Sequence, residues 1–169
     1  MLSFDIRALD TKAAQVDGLL APDDPVWQEG DPLPSEPVRA TGRLSTAGSG
    51  KYFWSGAIEG TLVMPCRRCL TDVTASVSED VHLVFADADE DEADDPDVYP
   101  VDPRAAMLDL RPAVREQWLL NAPAYVLCRE DCQGLCPTCG TDLNTGRCEC
   151  PPASDARWDA LRAIRTDSK

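Results

Sequence analysis

Residues 73–85 read VTASVSEDVHLVF, and their apolar members, Val73, Ala75, Val77, Val81, Leu83 and Phe85, all fall on odd numbers. A period of two marks a strand with one face in a core and one in water. The odd side is therefore assigned to the core and the even side, which carries His82, to solvent. His82 is the chain's one histidine. No cysteine or carboxylate constellation surrounds it in the sequence, so it is read as structural rather than catalytic.

Two more strand-like runs precede this one, Tyr52 to Met64 (YFWSGAIEGTLVM) and Pro37 to Ala47 (PVRATGRLSTA). The tetrapeptide GSGK separates them as a turn, and PCRRCLT (65–71) connects the second to the third. Together they suggest an antiparallel meander with one wet face. Leu2 to Arg7 is a short candidate strand. Asp10 to Ser35, with Pro22, Pro25, Pro32 and Pro34, reads as irregular.

Downstream, Asp87 to Asp97 holds eight acids in eleven residues and reads as a self-repelling loop. It lacks the register of a calcium-binding loop. Asp109 to Asn121 (DLRPAVREQWLLN) predicts a helix. Asp109 is its candidate N-cap, Pro112 sits in the first turn, and Leu110, Val114 and Trp118 form one apolar stripe. Ser154 to Thr166 predicts a last short helix. The expected fold is α+β: an antiparallel β-sheet or partial barrel with a covering helix and a cysteine-rich zinc-binding C-terminal segment. The expected division is a β-rich core domain, 1–125, and a zinc-binding tail, 126–169.

With 169 residues and 43 % hydrophobic residues, the chain is long enough to fold around a core without cross-links. Its formal charge is −14, from 30 acidic and 16 basic residues. Nucleic-acid affinity draws largely on Lys and Arg, so the balance argues against a simple polyanion binder and suits a basic protein partner. Solubility alone is the plainer explanation. MLSFDIRALDTK has no apolar stretch of signal-peptide length, and no run reaches the ~18 residues of a membrane span. A cytoplasmic protein with reduced thiols is the expectation.

Six of eight cysteines lie in 128–150, CREDCQGLCPTCGTDLNTGRCEC; Cys66 and Cys69 stand far upstream. In a reducing compartment, clustered CxxC motifs point to metal or redox chemistry rather than disulfides. CPTCG offers Cys136 and Cys139 with a glycine at the turn. CEC offers Cys148 and Cys150, which an extended backbone would point to one side. These four make a four-thiolate zinc site. An iron–sulfur cluster also uses four thiolates, but closely paired knuckles favour tetrahedral zinc. Cys66, Cys69, Cys128 and Cys132 make a possible second site. Alternatively Cys132 replaces Cys148 or Cys150 in the first, or Cys66 and Cys69 stay free.

PCRRCL, DLRPAVREQWLLNAP, CREDCQGLCPTCGTDLN and the closing RWDALRAI together resemble the YceD family, a bacterial and plastid family linked to accumulation of large-subunit ribosomal RNA. The resemblance runs from about Val38 to Ile164. Some members share the CxRCL motif but lack the distal cysteines, so the two cysteine groups need not share one metal. The resemblance implies a role in ribosome biogenesis, with large-subunit RNA processing or accumulation as the output. It supplies no catalytic mechanism, and the sequence shows no nucleophile–base pair.

The expected function is thus a non-enzymatic ribosome biogenesis factor with structural zinc, acting on the pre-ribosomal large subunit or a basic ribosomal protein, without a membrane or small-molecule substrate. Arg67, Arg68, Arg129 and Arg147 are candidate RNA or partner contacts, against the plainer reading of charge compensation beside thiolates. The competing function is a thiol-based redox or zinc-sensing protein using Cys66 and Cys69 as an exposed dithiol.

Overall fold

The computed structural model describes residues 1–48, 50–87 and 98–151. Most of the acidic stretch and the expected last helix therefore lie outside the described residues. The chain divides into two compact units: Met1–Met64 with Val73–Ala124, and Pro65–Asp72 with Tyr125–Lys169.

The first unit is mostly sheet. Its elements are β1 (Ser3–Asp5), α1 (Ile6–Leu9), β2 (Ala14–Leu20), β3 (Val38–Gly48), β4 (Lys51–Pro65), β5 (Asp72–Asp87), β6 (Val98–Val101), β7 (Met107–Asp109) and α2 (Arg111–Asn121). The main sheet has the order β2-β3-β4-β5-β6, and β1 pairs with β7 in a separate two-stranded sheet.

Alternation decides which face is buried. Val16 and Leu20 of β2, Val38, Ala40 and Leu44 of β3, and Tyr52, Trp54, Ile58 and Leu62 of β4 all point into the core. On β5 the odd residues Val77, Val81, Leu83 and Phe85 join them, while His82 is exposed. His82 stacks on Phe53 with ring centroids 6.3 Å apart and meets the Ser55 hydroxyl at 3.1 Å.

Helix α2 covers the core through Ala113, Val114 and Trp118. The indole N–H of Trp118 donates to the Pro32 carbonyl at 2.7 Å, and Trp27 meets its ring edge-on at 6.5 Å. Gly60 makes this packing possible, because a Cβ there would stand 2.8 Å from the Trp118 ring. Gly42 and Gly56 face each other across β3 and β4, where a Cβ on either would overlap the other strand's backbone.

Four expectations are corrected. The stretch from Asp10 to Ser35 contains a strand, β2, paired antiparallel with β3 from Ala14↔Leu44 to Leu20↔Val38. Asp17 and Gly18, both poor strand formers, mask it in the sequence, and the pairing with β3 overrides their propensity. The sheet is mixed rather than antiparallel, since β5 and β6 run parallel from Val84↔Val98 to Asp87↔Val101. Only Ser3–Asp5 of the first expected strand is extended: the Asp5 carboxylate accepts from the Arg7 and Ala8 N–H groups and turns the chain into α1. Finally, α2 has Leu110 as N-cap, without a side-chain hydrogen bond. Asp109 instead accepts the Arg111 backbone N–H at 3.0 Å and binds its guanidinium at 2.7 Å.

Candidate metal centres

The second unit is built on two turns with one hydrogen-bonding plan. In PCRRCLT the N–H of Cys66 donates to the Thr71 carbonyl at 2.8 Å, and the N–H of Leu70 to the Cys66 carbonyl at 2.9 Å. In CPTCGT the N–H of Cys136 donates to Thr141 at 2.8 Å and that of Gly140 to Cys136 at 2.9 Å. Each turn needs a left-handed residue after its second cysteine: Gly140 at φ +75° and Leu70 at φ +62°. Glycine takes that conformation freely, whereas a leucine loses roughly 1–2 kcal/mol there.

The Leu135 N–H donates to the Arg68 carbonyl at 3.1 Å and so ties the two turns together. Gly134 permits the approach, since a Cβ there would lie 3.0 Å from that carbonyl oxygen. Val126 receives the Arg67 N–H at 2.9 Å, which brings the segment carrying Cys128 and Cys132 against the first turn.

Two sets of four thiols result: Cys66, Cys69, Cys128 and Cys132, and Cys136, Cys139, Cys148 and Cys150. Within each set the sulfurs all lie within 4.8 Å of one another. The Cys66–Cys132 separation is 3.9 Å and the Cys69–Cys128 separation 3.6 Å. A tetrahedron with metal–sulfur bonds of ~2.3 Å has edges of ~3.8 Å, so the first set fits a metal ion of that size. None of the eight is in a disulfide. Cys148 and Cys150 reach their set without a regular strand, from the segment after a turn in which Gly146 N–H donates to Asp142 at 3.0 Å.

Backbone amides surround the sulfurs. The Cys128 N–H points at Cys66 Sγ at 3.4 Å and the Thr138 N–H at Cys136 Sγ at 3.4 Å. Hydrogen bonds from the backbone N–H groups of Cys69 and Arg68 hold the Cys66 thiol down to about 6, against the effect of burial. The Cys139 and Thr138 amides do the same for Cys136, also to about 6. Sharing a hydrogen with Cys132, then burial, pushes Cys128 up to about 12; sharing with Cys139, then burial, does so for Cys150. Crowded thiols ionise unequally because thiolates repel, and a bound cation removes that obstacle.

Asn144 is the organiser of this segment. Its Oδ1 accepts from the Gln133 N–H at 2.8 Å and from Arg129 at 2.9 Å, while its Nδ2 points at Cys132 Sγ at 3.5 Å. The hydroxyls of Thr71 and Thr141 also lie beside Cys69 and Cys139, at 3.4 and 3.2 Å. The only sequence signal for the threonines is the repeated CxxC-x-T spacing, and Asn144 gives none.

The four candidate arginines separate. Arg68 donates to the carbonyls of Cys132 and Glu130, at 2.8 and 3.3 Å, and Arg129 is bound to Asn144 and Asp131. Arg67 lies over the Tyr125 ring at 5.8 Å, and Arg147 is exposed. Cys66 and Cys69 are both buried, so they are not the exposed dithiol that a redox role requires. They belong to the first set, in which Cys132 is buried as well and Cys128 is exposed.

The family described as "Large ribosomal RNA subunit accumulation protein YceD" matches residues 54–165. Among curated proteins, the chain is similar to Uncharacterized protein YlbN of Bacillus subtilis (strain 168), 31 % identical over 107 residues, 63 % of this chain and 60 % of that protein. It is also similar to Uncharacterized protein Rv2926c of Mycobacterium tuberculosis (strain ATCC 25618 / H37Rv), 32 % identical over 111 residues, 63 % of this chain and 52 % of that protein. The matched part of the chain thus spans between half and two thirds of these relatives. No solved structure matches the chain. Strand β5, helix α2 and both four-cysteine sets fall within the matched residues, and the chain belongs to the YceD family.

Proposed function

We propose that this chain is a non-enzymatic factor of the cytoplasm that supports processing or accumulation of large-subunit ribosomal RNA, and that each four-cysteine set holds one structural zinc ion. The observation that carries the zinc reading is the pair of compact four-thiol sets, each with its sulfurs within 4.8 Å of one another, on turns of one design. Four thiolates fill the coordination of zinc and leave no open position for water, so such a site holds structure rather than activating a substrate. Its binding free energy acts as folding free energy. Among the described residues of the second unit the only buried side chains are cysteines, so both ions would fix a segment built on two short turns.

The ribosomal reading comes from the family's description, with the acidic surface as its physical companion. Among the described residues, no helix is long and apolar enough to cross a membrane. The partner on this reading is the pre-ribosomal large subunit or a basic ribosomal protein. Deleting the gene tests it: large-subunit RNA and the large-subunit peak in a sucrose gradient should fall. Unchanged profiles would remove the reading.

A further inference from the structure

We propose that Arg67, Leu70 and Tyr125 form a platform that binds unpaired bases of single-stranded RNA. The proposal rests on the ribosomal reading above and adds which surface is used and which form of RNA it takes.

The two cysteine turns provide an internal comparison. Their two ring-closing backbone hydrogen bonds agree, and beyond the Arg67 N–H that Val126 receives, the side chains of the first turn are not demanded by holding a metal. Where the second turn has Pro137, Thr138 and Gly140, the first has Arg67, Arg68 and Leu70. Arg68 is spent inside the unit on two carbonyls. Arg67 and Leu70 are not accounted for in this way. Leu70 is strained at φ +62° in a place where glycine serves without strain, and the residue is 63 % exposed. It therefore buries little within the chain to offset the strain. Strain held at an exposed apolar residue points to a contact made outside the chain.

Tyr125 is the second observation. Tyr125 is 62 % exposed, although tyrosine is a large, half-apolar residue, and the Arg67 guanidinium lies over its ring at 5.8 Å. A guanidinium held over an aromatic ring in a cation–π contact puts a positive charge beside a π face, so a base can stack on the ring while the guanidinium reaches phosphate. Single-stranded RNA is recognised in this way, by unpaired bases on aromatic rings and arginine planes. A duplex keeps its bases stacked and offers none.

Charge favours this unit over the other. Among the described residues it holds five acidic and four basic residues, against fifteen and eight in the first unit. The second unit is thus close to neutral, and a phosphate backbone meets less repulsion there.

The test is fluorescence anisotropy on the full, zinc-loaded chain. The probes are a labelled unpaired RNA of about 12 nucleotides, within the site sizes usual for such surfaces, and the same sequence in a duplex. The unpaired RNA should bind more tightly. Tyr125→Ala and Arg67→Glu should each weaken it by roughly five- to a hundredfold, the range for losing one stacked base. Leu70→Gly should weaken it as well while keeping the zinc content and melting temperature at or above those of the parent chain. Arg104→Glu, in the first unit, should leave binding unchanged. No binding by the parent chain, equal binding of the duplex, or undiminished binding by Tyr125→Ala and Arg67→Glu would overturn the proposal. So would variants that lose capture of a ribosomal protein yet still bind the RNA. In cells, full rescue of a deletion phenotype by Tyr125→Ala together with Arg67→Glu would sink the platform and leave the ribosomal reading standing. A deletion without phenotype would sink that reading instead.

Discussion

Leu70 and Gly140 hold the same place in two turns: each gives its backbone N–H to the carbonyl of the cysteine four residues earlier, at 2.9 Å, with φ of +62° and +75°. The first side chain strains this backbone and the second does not. Leu70→Gly should therefore raise stability by about 1 kcal/mol, and Gly140→Leu should lower it by about 1–2 kcal/mol. Thermal melts of the zinc-loaded proteins measure both. A destabilised Leu70→Gly would mean that the leucine packs usefully within the chain.

The two thiol sets should behave as two independent sites. Elemental analysis should give two zinc ions per chain. Cys132→Ser should retain the second ion and Cys136→Ser the first, because the sets share no sulfur. A strong chelator should remove the ordered amide signals of the second unit, since structural zinc supplies on the order of 10 kcal/mol of folding free energy. A stoichiometry of one would break the pairing of Cys66 and Cys69 with Cys128 and Cys132.

Sheet packing depends on bare backbone positions, Gly56 and Gly60 among them. Gly60→Ala would push a methyl group toward the Trp118 ring, and Gly56→Ala would drive one into β3. Each should cost about 1–3 kcal/mol, as overpacking does. The Gly56 variant should lie at the upper end, because backbone cannot yield as a ring can. Trp118→Ala should cost about 3–5 kcal/mol, through lost burial and a cavity. Urea unfolding followed by intrinsic fluorescence reads the first two, and circular dichroism the third.

Asp31 and Arg115 form a two-pronged ion pair, with N–O distances of 2.7 and 2.9 Å and side chains 9 % and 19 % exposed. The Arg115 hydrogen bonds, then the Gln28 N–H, hold the Asp31 carboxyl below its ordinary 3.8. A depressed carboxyl contributes stability that is complete above its unfolded value and is lost as pH falls through the folded one. Asp31→Asn should thus destabilise the protein at neutral pH, by about 1–2 kcal/mol for the charge-assisted bonds. The difference between variant and parent should shrink below about pH 4. Melting curves across pH 3–7 check this; a constant difference would show that the pair does not titrate as described.

Much of the site was legible in the sequence, because metal-ligand spacing is a local property. CPTCG and CEC name Cys136, Cys139, Cys148 and Cys150, and the structure gathers those four. The odd-numbered period from Val73 to Phe85 likewise named a buried face, and Val77, Val81, Leu83 and Phe85 lie on it. These readings needed only the geometry of one strand and one turn. Strand β2 was not legible, because Asp17 and Gly18 oppose a strand locally and only its ladder with β3 stabilises it. Nor was the parallel pairing of β5 with β6, which depends on where the chain returns after residue 87.

The tertiary structure alone decided the fate of Cys66 and Cys69. Sequence left them free or paired with Cys128 and Cys132, because nothing local sets the distance between residues some sixty positions apart. The Arg67–Val126 and Leu135–Arg68 hydrogen bonds close that distance and bury both thiols. The same contacts divide the arginines, leaving Arg67 over Tyr125 and turning Arg68 inward to the Cys132 carbonyl. A sequence records which donors and charges exist. Which of them are already satisfied depends on neighbours that only the folded chain supplies.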